Sequence, residues 1–146
     1  MTQWKDLVTF GLALLGAVLG VINTWRTINR DRIKLRVRFV HGMTINAPNF
    51  PDKLFGVEVT NLSSFPLTIA EVGMHIQGCA DRAVFFPHIT LDNKDLPRKL
   101  ESRDQCTIYI PQDSLRRDVG YTNVYATTVC GVTIRKKQRF LGEFSG

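Results

Sequence analysis

The chain has 146 residues, of which 44% are hydrophobic and 22% charged, with a formal net charge of +6 at pH 7. Residues 1–38 hold seven Lys or Arg against two acids, whereas residues 39–146 hold twelve against eleven. A nucleic-acid-binding domain concentrates positive charge on its folded body, so this near-neutral remainder makes nucleic acid an unexpected partner. The cysteines are odd in number and widely spaced, which argues against a disulfide framework and favours free, mostly buried thiols in a reducing compartment: Cys79, Cys106 and Cys130.

The first predicted element is an uncharged apolar run over residues 7–25. At about 1.5 Å per residue, a helix of roughly 19 residues covers about 28 Å, close to the hydrocarbon thickness of a bilayer. A buried core helix is disfavoured because small chains seldom bury a helix that is apolar all round. A cleaved signal peptide is disfavoured because Lys5 alone precedes the run and no Ala-x-Ala pattern closes it. The run therefore predicts a transmembrane helix at 7–25 after a short segment 1–6, with these residues in the span: Leu7, Phe10, Leu14, Val18, Ile22 and Trp25.

Cations that follow the run predict its orientation. Lys5 is offset by Asp6 before the run, whereas six cations follow it against one acid, Asp31. Because Lys and Arg near a span stay on the cytoplasmic side, we expect an inner-membrane protein with its N-terminus outside and its main domain in the cytoplasm. Residues 26–32 are predicted to be a basic linker. The six cations are expected to contact lipid phosphates, at about 1 kcal/mol each: Arg26, Arg30, Arg32, Lys34, Arg36 and Arg38.

Two glycines in the run, Gly16 and Gly20, have the small-xxx-small spacing that lets membrane helices approach closely. Glycine and alanine are also common in membrane helices without any such role. Formation of a homo-oligomer through Gly16 and Gly20 is therefore a hypothesis rather than a requirement of the pattern.

From residue 33 onward the pattern becomes a strict alternation of apolar and charged residues. Ile33, Leu35, Val37 and Phe39 alternate with Lys34, Arg36 and Arg38, which is typical of a strand with one buried face. Residues 96–102 are interpreted as a turn and residues 111–117 as the start of a single helical turn. With about seven strands and little helix, residues 33–146 predict an antiparallel β-sandwich, with a small barrel as the alternative. The further strands are predicted at 55–60, 67–76, 82–86, 105–110, 122–129 and 132–135.

Residues 55–69 resemble the strand–turn–strand segment of bacterial immunoglobulin-like sandwich modules. In both, a strand ends in an asparagine, here Asn61, a small polar turn follows, and a proline, here Pro66, starts the next strand. Residues 100–102 are similar to the approach to a later strand in the same modules. The resemblance extends over residues 33–140 and implies an immunoglobulin-like fold without catalytic residues. A single span joined to such a sandwich resembles small, largely uncharacterised membrane proteins of bacteria, phages and mobile elements.

Two loose groups of side chains could bind a metal or act in catalysis. His75 and Cys79 are four residues apart, but the surrounding sequence favours a strand rather than the helix that would bring them together. His88, Asp92 and Asp95 are interpreted as a solvated polar loop. Two candidate ligands fall short of the usual four of a zinc site, and the nucleophile, phosphate-binding and zinc-protease motifs are absent. The sequence therefore predicts no catalytic residue, cofactor or metal.

Basic residues predict contact with lipid rather than with bases. The outward positions of the first strand are basic without interleaved aromatics, whereas nucleic-acid-binding sheets stack bases on aromatic side chains. A second basic group is interpreted either as an exposed turn or strand edge or as a segment that folds back beside the first strand: Arg135, Lys136, Lys137 and Arg139.

These features favour a non-enzymatic adaptor, sensor or regulatory module that presents a protein-interaction surface beside the bilayer. Sheet edges and the loop from Gly42 to Lys53 are the expected contacts with the protein partner. One alternative is an effector that perturbs the membrane by oligomerising, as toxin-like or defence proteins do. Another is a sensor of a small ligand or nucleotide in a barrel-like domain.

Overall fold

The computed structural model describes residues 2–45, 48, 51–116 and 118–140 of the chain. It divides into two compact units, residues 1–32 and residues 33–146, of which 141–146 lie outside the described part.

The first unit contains one helix, α1, which runs from Thr2 to Arg30 and is longer than the predicted span at both ends. Its apolar window has a mean hydropathy of 2.0 and is not buried, so the helix is long and apolar enough to cross a membrane. Signal sequences near an N-terminus share these properties. The hydroxyls of Thr9, Thr24 and Thr27 donate to carbonyls four residues earlier, which satisfies them within the helix.

The second unit is a mainly antiparallel β body of two sheets. The sequence predicts about seven strands, whereas the described residues form nine, three of which have only two or three residues. In chain order these are β1 (Leu35–Met43), β2 (Lys53–Asn61), β3 (Leu67–Ile76), β4 (Arg82–Val84), β5 (Ile89–Thr90), β6 (Arg98–Leu100), β7 (Gln105–Pro111), β8 (Tyr121–Thr128) and β9 (Thr133–Phe140).

The first sheet has the order β1-β2-β7-β5, and the second has the order β4-β3-β8-β9, with β6 also paired to β3. Strands β1 and β9 are therefore edge strands of different sheets, and they contact each other. The short strands β4, β5 and β6 form the opposite edges.

Both sheets contribute to one hydrophobic core. Val57 and Ile108 from the first sheet and Ile69 and Val124 from the second are fully buried in it. The predicted alternation in β1 is confirmed, because Val37 is 3% exposed while its neighbours on the strand, the outward arginines, are exposed.

Two local predictions have different outcomes. The helical turn is confirmed as a 3-10 helix at Gln112–Ser114. The turn predicted at 96–102 is wrong in part, because residues 98–100 form β6, which pairs with β3 through Leu67↔Leu100. Leu100 is fully buried, whereas Arg98 is half-buried and Lys99 is exposed.

The corner between β2 and β3 is organised by the fully buried Asn61. Its Nδ2 donates to the carbonyl oxygens of Phe65 at 2.8 Å and of Leu100 and Glu101 at 3.1 Å. Its Oδ1 accepts from the backbone N–H of Ser63 at 2.9 Å. Because Leu100 lies in the second sheet, this one side chain joins the end of β2 to the other layer.

The same corner holds the residue that precedes β1. The N–H of Lys34 donates to Oγ of Ser63 at 2.8 Å, and the carbonyl of Lys34 accepts from the N–H of Leu62 at 2.7 Å. The turn therefore fixes the start of the β body.

Candidate functional site

Exposed cations line the neighbouring strands β1 and β9. They come from two distant parts of the sequence, and the contact between the two strands brings them to one side of the β body. Both interpretations of the C-terminal basic segment are thus confirmed for β9, which is an exposed edge strand and lies beside the first strand. We call this set the basic edge: Lys34, Arg36, Arg38, Arg135, Lys136 and Lys137.

The strand registers place these cations on both sides of the edge. Arg36 pairs with Thr60 on the outer face of the first sheet, where Arg38 also lies opposite Glu58. Arg135 pairs with Tyr125 on the outer face of the second sheet. Lys136 pairs with Val124, a core residue, yet is exposed because β9 is an edge strand. The basic edge therefore spreads around the rim of the two sheets.

No cation of the basic edge forms an ion pair with another described residue. The ion pairs in the described body involve other residues, such as Lys99 with Glu101 at 2.7 Å. The charge of the basic edge is therefore available to an external anion.

The structure divides the six predicted lipid contacts between the two units. Arg26 and Arg30 lie near the end of α1, within the predicted linker, and Arg32 follows the helix. The remaining contacts belong to the basic edge: Lys34, Arg36 and Arg38.

The predicted span residues are exposed along α1: Leu7, Phe10, Leu14, Val18, Ile22 and Trp25. A Cβ added at Gly16 or Gly20 would meet nothing within 4 Å in the described chain, so this small-residue surface is open. Self-association through the two glycines stays a prediction.

A second polar cluster lies on the outer face of the second sheet, around Tyr125. Its ring lies over Gly73, whose missing side chain makes the room, and its hydroxyl donates to Oε1 of Glu71. The guanidinium of Arg82 lies 3.5 Å from the same oxygen and 5.9 Å from the Tyr125 ring centroid. Burial, and then the hydrogen bond to Glu71, raises the pKa of Tyr125, so the phenol stays protonated.

His75 belongs to the same cluster. Its ring centroid lies 4.9 Å from that of Tyr125, and its Nε2 is buried without a hydrogen-bond partner among the described residues. Burial, and then the charges of Arg135 and Arg82, lowers the pKa of His75. Cys79 lies in the turn after β3 and contacts Asp81, with 3.0 Å between Sγ and Oδ2. Within the described ranges, no three His, Cys, Asp or Glu residues are placed to hold a metal ion.

All three thiols are free, but the expectation that they are mostly buried is wrong. Cys106 is buried, and burial raises its pKa to about 11, so this thiol is unreactive at neutral pH. Cys79 and Cys130 are exposed in turns at opposite ends of the second sheet.

A cavity of about 370 Å³ lies beside β3 and β4, away from the basic edge. The carboxylates of Glu71 and Asp95 and the imidazole of His88 line it together with apolar side chains. The three residues of the predicted polar loop are thus separated: His88 and Asp95 line the cavity, whereas Asp92 forms an ion pair with Arg98, with 2.6 Å between Oδ2 and Nη2. Sequence reasoning missed Glu71, since one acid in an alternating strand looks like a solvent-facing residue.

Comparison with protein-family models gives no match for this chain, and comparison with curated proteins gives none either.

Proposed function

We propose that this protein is a non-enzymatic interaction module anchored in a bacterial inner membrane. In this proposal α1 spans the bilayer with its N-terminus outside, and the β body, an immunoglobulin-like sandwich, lies in the cytoplasm with its basic edge on anionic headgroups. The observation that supports it most is the convergence of β1 and β9, which gathers cations from both ends of the domain sequence.

The energetics of the basic edge suit a lipid surface. Each cation near an anionic membrane surface contributes about 1 kcal/mol, so several together stabilise one orientation of the body. Four residues separate the end of α1 from β1, and covalent geometry limits such a link to roughly 18 Å. The attraction falls with salt, because the Debye length is about 10 Å at 0.1 M and about 3 Å at 1 M.

Charge distribution favours binding over catalysis. The cations are spread along a rim rather than gathered in a cleft, and their partners would be several phosphates rather than one reacting group. A rim that contacts lipid leaves the opposite edge, with β4, β5 and β6, free for a protein partner.

Hydrogen exchange of the full-length protein in nanodiscs tests this function. We expect the amides of β1 and β9 to be more protected in discs with anionic lipid than in zwitterionic discs, and high salt to remove the difference. The double variant Arg36→Gln/Arg38→Gln should lose the protection. The control Lys99→Gln/Arg103→Gln, which removes the same charge outside the basic edge, should keep it. Equal protection in both kinds of disc would overturn the lipid contact.

Anchoring and orientation are tested separately. We expect the uncleaved chain, identified by its intact mass, to resist alkaline carbonate extraction. A C-terminal tag should be digested by protease in inverted inner-membrane vesicles and protected in spheroplasts. Release by carbonate, or the reverse protection pattern, would contradict the anchor or its direction.

A second candidate function is favoured by the open surface at Gly16 and Gly20. If α1 oligomerises there, the protein would perturb the membrane as an effector. Growth arrest with dye leakage on expression would support this function, whereas harmless expression with a stable protein partner supports the module.

A further inference from the structure

Glu71, which lines the cavity beside β3 and β4, has one carboxylate oxygen that is already engaged. Oε1 accepts from the Tyr125 hydroxyl and lies 3.5 Å from the Arg82 guanidinium, whereas no hydrogen bond joins Oε2 to another described residue. The side chain is 25% exposed, so its two partners hold the carboxylate in place while part of it stays open to solvent.

His88 contributes a second unsatisfied atom to the same cavity. Its side chain is only 9% exposed, and its Nε2 has no hydrogen-bond partner within the described residues. The nearest carboxylate oxygen, Oδ1 of Asp95, is 3.6 Å away, beyond hydrogen-bond distance. Buried polar atoms are nearly always partnered, so this nitrogen is a second contact point for a ligand in the cavity. Asp95 is 89% exposed and is free to turn toward that ligand.

The walls and rim of the cavity are apolar. Val84, Phe85 and Leu96 line it, and Phe86 stands at its mouth with 84% of its surface exposed. A small ligand would leave these side chains in water, whereas a protein surface would cover them, as interface residues around a central anchor are covered.

These features together select a cationic group on an apolar stem. Glu71 is already paired with Arg82, so the exposed Asp95 supplies most of the negative charge that disfavours the phosphates of the nucleotide in the sensor alternative. A guanidinium presents five donors in one plane, which suits a cavity lined by two carboxylates. We propose that this cavity binds the arginine side chain of a protein partner; the proposal rests on the function proposed above and specifies what the module recognises.

The test uses full-length, isotope-labelled protein in micelles and a short peptide, acetyl-Gly-Val-Arg-Val-Gly-amide. We expect amide shifts confined to residues around 70–71, 84–88 and 95–96. The same peptide with citrulline in place of arginine keeps the shape and loses the charge, and should bind at least about tenfold more weakly. Asp95→Asn, at an exposed position, and Glu71→Gln should each weaken binding of the arginine peptide, while the control Glu101→Gln should not.

Three results would overturn the proposal. The first is the absence of shifts at these residues at millimolar peptide, and the second is equal binding of the arginine and citrulline peptides. The third is that free arginine binds as tightly as the peptide, which would assign the cavity to a small ligand. Each of these failures would leave the nanodisc protection of β1 and β9 unchanged, so it is distinguishable from a failure of the membrane contact.

Discussion

Replacing Asn61 by alanine tests whether the buried corner between β2 and β3 joins the two sheets. The side chain has two amide protons and reaches three carbonyls, so two of the carbonyls share one proton. A hydrogen bond contributes about 1 kcal/mol net, and a buried group left unpaired costs about 1–3 kcal/mol. We therefore expect the free energy of unfolding to fall by about 4 kcal/mol, or Tm by roughly 15 °C.

Urea unfolding of the full-length protein in detergent micelles, followed by the circular dichroism of the β-sheet, measures this loss. Asn123→Ala is a matched control, because this half-buried asparagine has no side-chain hydrogen bond among the described residues, and it should change stability by less than about 0.5 kcal/mol. A loss below about 1 kcal/mol for Asn61→Ala would refute the reasoning, since it would mean that the three carbonyls find other donors.

The isosteric change Asn61→Asp adds a pH signature. The new carboxylate would face the same carbonyl oxygens in a buried site, which raises its pKa in the folded state. The variant should therefore be closest to the unchanged protein below about pH 3.9, the ordinary value of the group in the unfolded chain, and lose stability as pH rises. Stability that increases with pH relative to the unchanged protein would contradict this account.

Three further predictions concern other parts of the molecule. Gly73→Ala places a Cβ 2.2 Å from the carbonyl oxygen of Ala83, so β3 and β4 must separate, and thermal unfolding should show a loss of about 2 kcal/mol. Burial and two nearby arginines lower the pKa of His75, so the free energy of unfolding should be highest above pH 6.5 and should fall as the pH decreases below that value. His75→Gln should reduce this pH dependence, and an unchanged pH dependence would contradict the prediction. The double variant Gly16→Ile/Gly20→Ile should form smaller oligomers in detergent than the unchanged protein, as measured by chemical crosslinking. An unchanged oligomer size would remove the association hypothesis.

Much of the fold follows from local pattern. The alternation of Leu35, Val37 and Phe39 with arginines specifies β1 and its buried face, because side chains on a strand alternate between faces. β6 could not be predicted, since its three residues carry no alternation and its place in the sheet depends on pairing with a distant strand. The same limit applies to β5, which has two residues.

The candidate site depends more on topology than on pattern. The charge of Arg36 and Arg135 is visible in the sequence, but their approach depends on β1 and β9 being edges of different sheets on one side of the body. The cavity is harder still to predict from the sequence, because Glu71, His88 and Asp95 come from a strand and two connections that meet only in the folded chain. The loop 42–53, predicted to contact a partner, lies partly outside the described residues, as does the side chain of Arg139.

The connection between α1 and an edge strand has a mechanical consequence. Force applied to α1 enters the β body at Lys34, where three hydrogen bonds to Leu62 and Ser63 bear it first. Behind them β1 pairs with β2 over nine residue pairs, which must also open before the force can strip β1 from the first sheet. The ladders between the other strands do not include β1, so they would stay closed when it leaves.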